Sequence, residues 1–251
     1  TGLDAQIGDS CEVRNMQGKV VINAEVIGID GEKLILTPHG DLRSISISCR
    51  VHLKEKGSSL VCSPALLGRI VGPSGIPIDG HGPVNGGVRR PVYRAAPKAL
   101  DRKLISNRIE TGITAIDQIL PLAKGQRIGL FARAGMGKSA LLGMISRNSS
   151  ADVNVIALIG ERGREVGEFI EENLGTEGLK RSVLVVATSD QSSAERAKAA
   201  HTATAIAEWF QHQGQDVFLF MDSVTRYARA LREIGLGAGE LPTRRGFPAS
   251  V

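Results

Sequence analysis

Long apolar runs, paired cysteines, metal-spaced histidines and aromatic residues are all scarce in this sequence. No apolar stretch approaches the about 20 residues that a membrane-spanning helix needs. The N-terminus carries neither an initiator Met nor a basic-then-apolar signal region. A chain that starts Thr-Gly-Leu and stops at Phe-Pro-Ala-Ser-Val reads as a fragment, cut at both ends. Cys11, Cys49 and Cys62 are odd in number, widely spaced and form no C-x-x-C pair, which suits idle thiols in a reducing cytosol. The five histidines (His39, His52, His81, His201 and His212) lack metal-ligand spacing and read as non-ligands. Aromatics are 4% of residues and none precedes Tyr93, so the core must be built from Val, Ile, Leu and Ala. That same lack removes the stacking platforms on which a barrel would bind single-stranded nucleic acid. The net charge of +5 suits an anionic ligand without itself indicating nucleic acid.

What is present is enough chain, 251 residues, for a full α/β core and a small second unit. Residues 1 to about 60 read as β: CEVRN, KVVINAEVIGID, EKLILT and RVHLK are short runs rich in Val and Ile, separated by turns. Asp30-Gly31 between two of them is a strong hairpin signal. A small barrel is the economical closure for so many short strands. From Val61 to Lys98 the density of Gly and Pro predicts a connecting segment with no regular element, ordered only if something holds it. Beyond it, apolar runs alternate with helical patterns. QRIGLFA, VNVIALIG, SVLVVATS and DVFLFMD read as strands; KSALLGMISRN, REVGEFIEENLG, SAERAKAAHTATAIAEWFQHQ and SVTRYARALREIG read as helices. Continuous apolar strands between helices predict a parallel sheet covered on both faces.

Within this alternation, FARAGMGKSALL nearly matches the phosphate-loop pattern G-x-x-x-x-G-K-[ST], with Ala132 in place of the first Gly. The context is that of a phosphate loop: Arg127 to Phe131 as the strand before it, Lys138 onward as the helix after it. Backbone N–H groups around Gly135 to Ser139 would converge on phosphate at a helix N-terminus. Lys138 would reach the outer phosphate oxygens, and the Ser139 hydroxyl would bind Mg²⁺. Ala132 fits where the chain leaves a strand if its φ stays negative. A chance Gly-Lys-Ser at such a junction is the weaker reading. VFLFMD ends in Asp222, the acid expected to meet Mg²⁺ through water. Glu161, just past another apolar strand, can act as general base at the carboxyl edge of the sheet. Arg162 beside it could meet the γ-phosphate. The bland alternative makes Glu161, Arg162, Arg164 and Glu165 solvated charges capping the next helix.

TGITAIDQILPLAKGQRIGLFARAGMGKSALL, IGERGREVGEFI and LFMDSVTRYARALREIG together resemble the catalytic ATPases of type III and flagellar protein secretion. LLGRIVGPSGIPIDGHGP resembles the segment joining barrel to nucleotide domain in that group and in the catalytic subunits of rotary ATP synthases. The resemblance covers essentially the whole chain. Ala132 and the ending GELPTRRGFPASV favour the secretion branch, where Ala is usual at that position; Arg133 is less usual in the loop.

The resemblance implies a RecA-like P-loop domain with a parallel sheet over residues 61–251, incomplete at its C-terminus. It is preceded by an N-terminal β-barrel over 1–60 that lacks its first strand. It implies ATP and Mg²⁺, held by Ala132, Arg133, Ala134, Gly135, Met136, Gly137, Lys138, Ser139 and Ala140, with Ser139 and Asp222 at the metal. Glu161, Arg162 and Lys138 carry over as catalytic residues. Glu161 is a mark of a working site, since non-catalytic rotary subunits have Gln there. The implied machine is a cytoplasmic homohexamer at the inner membrane, engaging a central coiled-coil stalk, stator proteins and chaperone–substrate complexes, with no nucleic acid. Its arginine finger is expected beyond Val251, which would make this chain a mainly monomeric half-site with near-background activity. A rotary synthase subunit and, more remotely, a Rho-like RNA translocase are the alternatives.

Overall fold

A computed structural model describes residues 2–40, 42–133 and 135–251, so Ala134 of the predicted loop lies outside the described residues. The N-terminal strands are β1 (Ser10–Arg14), β2 (Val20–Asp30), β3 (Lys33–His39) and β4 (Arg50–Glu55). They form an antiparallel sheet in the order β3-β2-β1-β4. Asp30 pairs with Lys33 across the predicted turn, and Gly31 supplies the positive φ (56°) that the turn needs. Val13, Ile22 and Ala24 bury one face against Leu36, Cys49 and Val51. The expected barrel is an open sheet among the described residues: β3 and β4 are both edges. Even five strands close a small barrel only partly, and four leave two edges.

The Gly/Pro-rich segment holds more regular structure than its composition predicts. β5 (Ser59–Cys62) pairs antiparallel with β7 (Val88–Pro91), and β6 (Ile70–Val71) joins the main sheet. One carboxylate organises the loop between them. Asp79 accepts from Arg69 Nε (2.6 Å) and Nη2 (2.8 Å), and from the backbone N–H groups of Ile70 (3.0 Å) and His81 (3.1 Å). The Arg69 guanidinium, above all, holds the Asp79 carboxyl far below the usual carboxylate range. We expect Asp79→Ala to cost about 2–3 kcal/mol at pH 7 in urea denaturation, as for hydrogen bonds to a charged group. A depressed carboxyl contributes its stability above its unfolded pKa. The wild-type advantage should therefore shrink as pH falls below about 4. An advantage that does not change with pH would contradict this account.

Next come β8 (Arg108–Ile109), α1 (Thr114–Ile119) and β9 (Leu122–Ala123). The strand expected at Arg127–Phe131 is absent: the segment is irregular and exposed, with Ile128 56%, Leu130 42% and Phe131 96% accessible. Its apolar side chains belong to none of the buried clusters among the described residues, and a short run broken by Gly129 has little to gain from pairing.

The remaining predicted strands form, and so do the predicted helices other than the one over REVGEFIEENLG. The elements of this part are α2 (Lys138–Asn148), β10 (Val153–Glu161), α3 (Gly163–Glu168), α4 (Gly175–Lys180), β11 (Ser182–Thr188), α5 (Ser193–His212), β12 (Val217–Asp222) and α6 (Val224–Gly237). The parallel sheet runs β12-β10-β11-β6. Alternate residues of β10 feed opposite cores. Val153, Val155, Ala157 and Ile159 pack with Ala199, Ala203, Ile206 and Phe210 of α5. Ile156 and Leu158 face Ile145 of α2 together with Phe169 and Leu174. This period of two, buried on both sides, is why the strand reads as an unbroken apolar run. The single helix expected over REVGEFIEENLG is instead α3 and a π-helical turn at Phe169–Leu174, and the unpredicted α4 follows from Gly175. The wide turn brings the Asn173 carbonyl against Gly143 of α2, where a Cβ would sit 2.3 Å from its oxygen. No helix among the described residues is long and apolar enough to cross a membrane.

Candidate functional site

At the carboxyl edge of the sheet, α2 begins directly after Gly137, whose φ of 80° is left-handed, as is that of Gly135 (78°). Those two positions need glycine; Ala132 and Arg133 lie in irregular, exposed chain. Met136, Ser139 and Ala140 are exposed and Lys138 half-buried, so the start of α2 is open to a ligand. With no side-chain cap at Gly137, its first N–H groups can donate to an anion.

β12 delivers Asp222, 4% exposed, opposite Leu158 of β10. Its carboxylate receives the Lys138 ammonium directly. β10 ends at Glu161 after its register with β11 shifts between Ile159 and Glu161. Gly160 sits in that irregularity with φ 71°, and a Cβ there would lie 3.0 Å from Arg226 Cδ. The bulge turns Glu161 toward the cleft and makes room for Arg226 to pass. Arg226, in the first turn of α6, donates to the Gly160 carbonyl and pairs with Glu161 Oε2 at 2.7 Å.

A cleft of about 130 Å³ joins these groups: Ser139, Glu161, Glu165, Glu168, Asn173 and Asp222 all line it. A larger cleft, about 350 Å³, lies between Ile7, Lys56, Arg89 and Tyr93 and holds none of the predicted site residues. Burial pushes the Glu161 carboxyl up to about 7, helped by its hydrogen bond with Glu165 and the nearby Asp222 charge, and opposed by Arg226. Glu165 is held down to about 2 by that same hydrogen bond and by the Arg162 N–H and guanidinium. The two carboxyls act as a pair that keeps one proton until near neutrality.

The structure thus brings Lys138, Ser139, Glu161 and Asp222 together. Arg162 is not in the cleft: its side chain is 77% exposed and paired with Glu165 Oε1 at 2.7 Å at the start of α3. The helix-capping reading of Arg162 and Glu165 describes that contact. Arg226 and the cleft-side role of Glu165 escaped the sequence reading. The usable signal for Arg226 was a cation one helical turn beyond Asp222, at the same sheet edge.

The nucleotide-binding domain of the ATP synthase alpha/beta family matches residues 112–251. The chain is 50% identical over 250 residues to the type 3 secretion system ATPase of Xanthomonas euvesicatoria, covering 100% of this chain and 57% of that protein. It is 46% identical over 251 residues to the flagellum-specific ATP synthase of Treponema pallidum (strain Nichols), covering 100% and 56%. The solved structure of the assembled ATPase EscN in complex with its central stalk EscO, from the enteropathogenic E. coli type III secretion system, matches with TM-score 0.89. Its sequence is 43% identical, over 98% of this chain and 60% of that one. The chain spans a little over half the length of these relatives. The expected resemblance to secretion and flagellar ATPases is met at both levels. The match over residues 112–251 establishes that the chain belongs to the ATP synthase alpha/beta family.

Proposed function

We propose that this chain is the nucleotide-binding part of a Mg²⁺-dependent ATPase that energises protein export through a type III or flagellar secretion apparatus, including chaperone release and substrate unfolding. The observation that carries the reading is that Ser139, Glu161 and Asp222 line one cleft behind a helix N-terminus, with Lys138 paired to Asp222. In this reading residues 1–60 are the barrel unit, completed by an earlier strand, and 61–251 the larger part of the RecA-like domain.

Lys138 would exchange the Asp222 carboxylate for phosphate oxygens when ATP enters, leaving Asp222 available to hold Mg²⁺. One hydroxyl and one carboxylate suit Mg²⁺, which keeps waters and takes its remaining ligands from substrate phosphates. Ser139 and Asp222 would hold that ion, and its charge would offset the negative charge of the phosphates. Glu161 takes the proton of the attacking water, and Arg226 holds its carboxylate in place. Arg162 reaches the γ-phosphate by leaving Glu165. Because the Glu161–Glu165 pair keeps its last proton until near pH 7, the rate should rise through that range. Glu165→Gln should move this acid limb to lower pH, since an amide stabilises the Glu161 carboxylate without sharing its proton. An unmoved limb would mean that the pair does not govern turnover.

The full-length protein acts as a cytoplasmic homohexamer at the inner membrane, with a central stalk, stator proteins and chaperone–substrate complexes as partners. The test is phosphate release by the full-length protein with Mg²⁺, with EDTA and with poly-RNA, beside restoration of export in cells lacking it. We expect Mg²⁺-dependent turnover indifferent to RNA, and restored export. Strong RNA stimulation would favour a translocase, and turnover without restored export a rotary subunit.

A further inference from the structure

A second pair of enclosed, opposite charges lies away from the cleft, where the N-terminal sheet meets α5. Glu25 of β2 is 6% exposed and Lys198 of α5 is 5% exposed. Lys198 Nζ donates to Glu25 Oε2 (2.9 Å), and Tyr93 Oη donates to Glu25 Oε1 (2.6 Å). His39 of β3 stands 3.8 Å from the same carboxylate, and its Nδ1 is buried without a hydrogen-bond partner. A buried ion pair is a poor source of stability, because desolvation offsets most of its attraction. What it does well is fix one geometry, since any displacement leaves a charge buried and unpaired.

That geometry continues toward the cleft. The Tyr93 ring meets the His201 ring edge-on at 4.9 Å, one helical turn beyond Lys198. His201 Nε2 is 3.2 Å from the Tyr227 hydroxyl on α6. Tyr227 directly follows Arg226, which grips Gly160 and Glu161. The groups facing Glu161 are Glu165 of α3, Asp222 of β12 and Arg226 of α6, with Lys138 of α2 drawn onto Asp222. Those facing the Glu25 end are Lys198, Tyr93, His39, His201 and, through His39, Glu195.

We propose that Glu25, Lys198, Tyr93, His201 and Tyr227 are positioning residues that couple the placement of the N-terminal sheet to the Arg226–Glu161 contact. When the sheet shifts against α5, the Glu25 anchor moves Tyr93 and His201, and Tyr227 carries the movement into the first turn of α6. This rests on the reading of Glu161 as the proton acceptor.

The experiment measures kcat, KM for ATP and thermal unfolding in the full-length protein for wild type, Tyr227→Phe, Glu25→Gln, their double variant and Glu161→Gln. Tyr227→Phe removes one hydroxyl and opens no cavity, so it stays informative if Glu25→Gln folds poorly. Loosening Arg226 lets the Glu161 side chain leave its place without touching the residues that bind phosphate. Each single variant should therefore lose about threefold in kcat with KM for ATP unchanged. The double variant should lose no more than the larger single, because both act along one line. Lowered unfolding temperatures with an unmoved kcat, or fully additive losses, would overturn the coupling while leaving Glu161 as the base. Normal turnover by Glu161→Gln would overturn both.

Discussion

Glu161→Gln lowers kcat by roughly 10²–10⁴-fold while leaving Mg-ATP bound, the loss typical of a missing general base. Gln keeps the length of the side chain and can still accept from Arg226, so the cleft keeps its shape. What disappears is the proton acceptor that burial and Glu165 hold ready near neutrality. The acid limb of the rate profile should disappear with it. Calorimetry on the full-length variant checks the retained binding, and phosphate release checks the lost rate. Normal turnover would reduce Glu161 to a charge at a strand end.

Lys138→Ala has the opposite signature: binding fails first. The Lys138 ammonium is the cation placed at the N-terminus of α2, and backbone dipoles there cannot balance a triphosphate alone. Losing hydrogen bonds to charged oxygens should weaken ATP by roughly 10²-fold, with turnover lost alongside. The variant also leaves Asp222, 4% exposed, without the cation it pairs with, so its unfolding temperature should fall as well. Nucleotide affinity that survives this substitution would be incompatible with a phosphate loop.

The elements flanking the cleft were legible where local sequence and burial agree. KSALLGMISRN begins after a left-handed glycine and becomes α2 over Lys138–Asn148. VNVIALIG is buried along its whole length and becomes β10. Asp222 could be placed because five apolar residues carry it to the sheet edge. Legibility failed where tertiary contacts decide. QRIGLFA has the apolar content of a strand, yet strand formation depends on neighbours, and Ile128 and Leu130 join no buried cluster among the described residues. The π-helical turn at Phe169–Leu174 answers to Gly143 on another helix, which no local pattern reports. Arg226 lay in plain view as one of several arginines on α6. Only the bulge at Gly160 shows which of them meets Glu161.

The central claim is that one cleft binds ATP through Lys138 and hydrolyses it through Glu161. Its most direct test is a single-turnover chase of radiolabelled Mg-ATP on the full-length protein. We predict that wild type converts its bound ATP to ADP and phosphate, that Glu161→Gln holds ATP intact through the chase, and that Lys138→Ala retains none. Conversion by Glu161→Gln at the wild-type rate, or full retention by Lys138→Ala, would contradict the account.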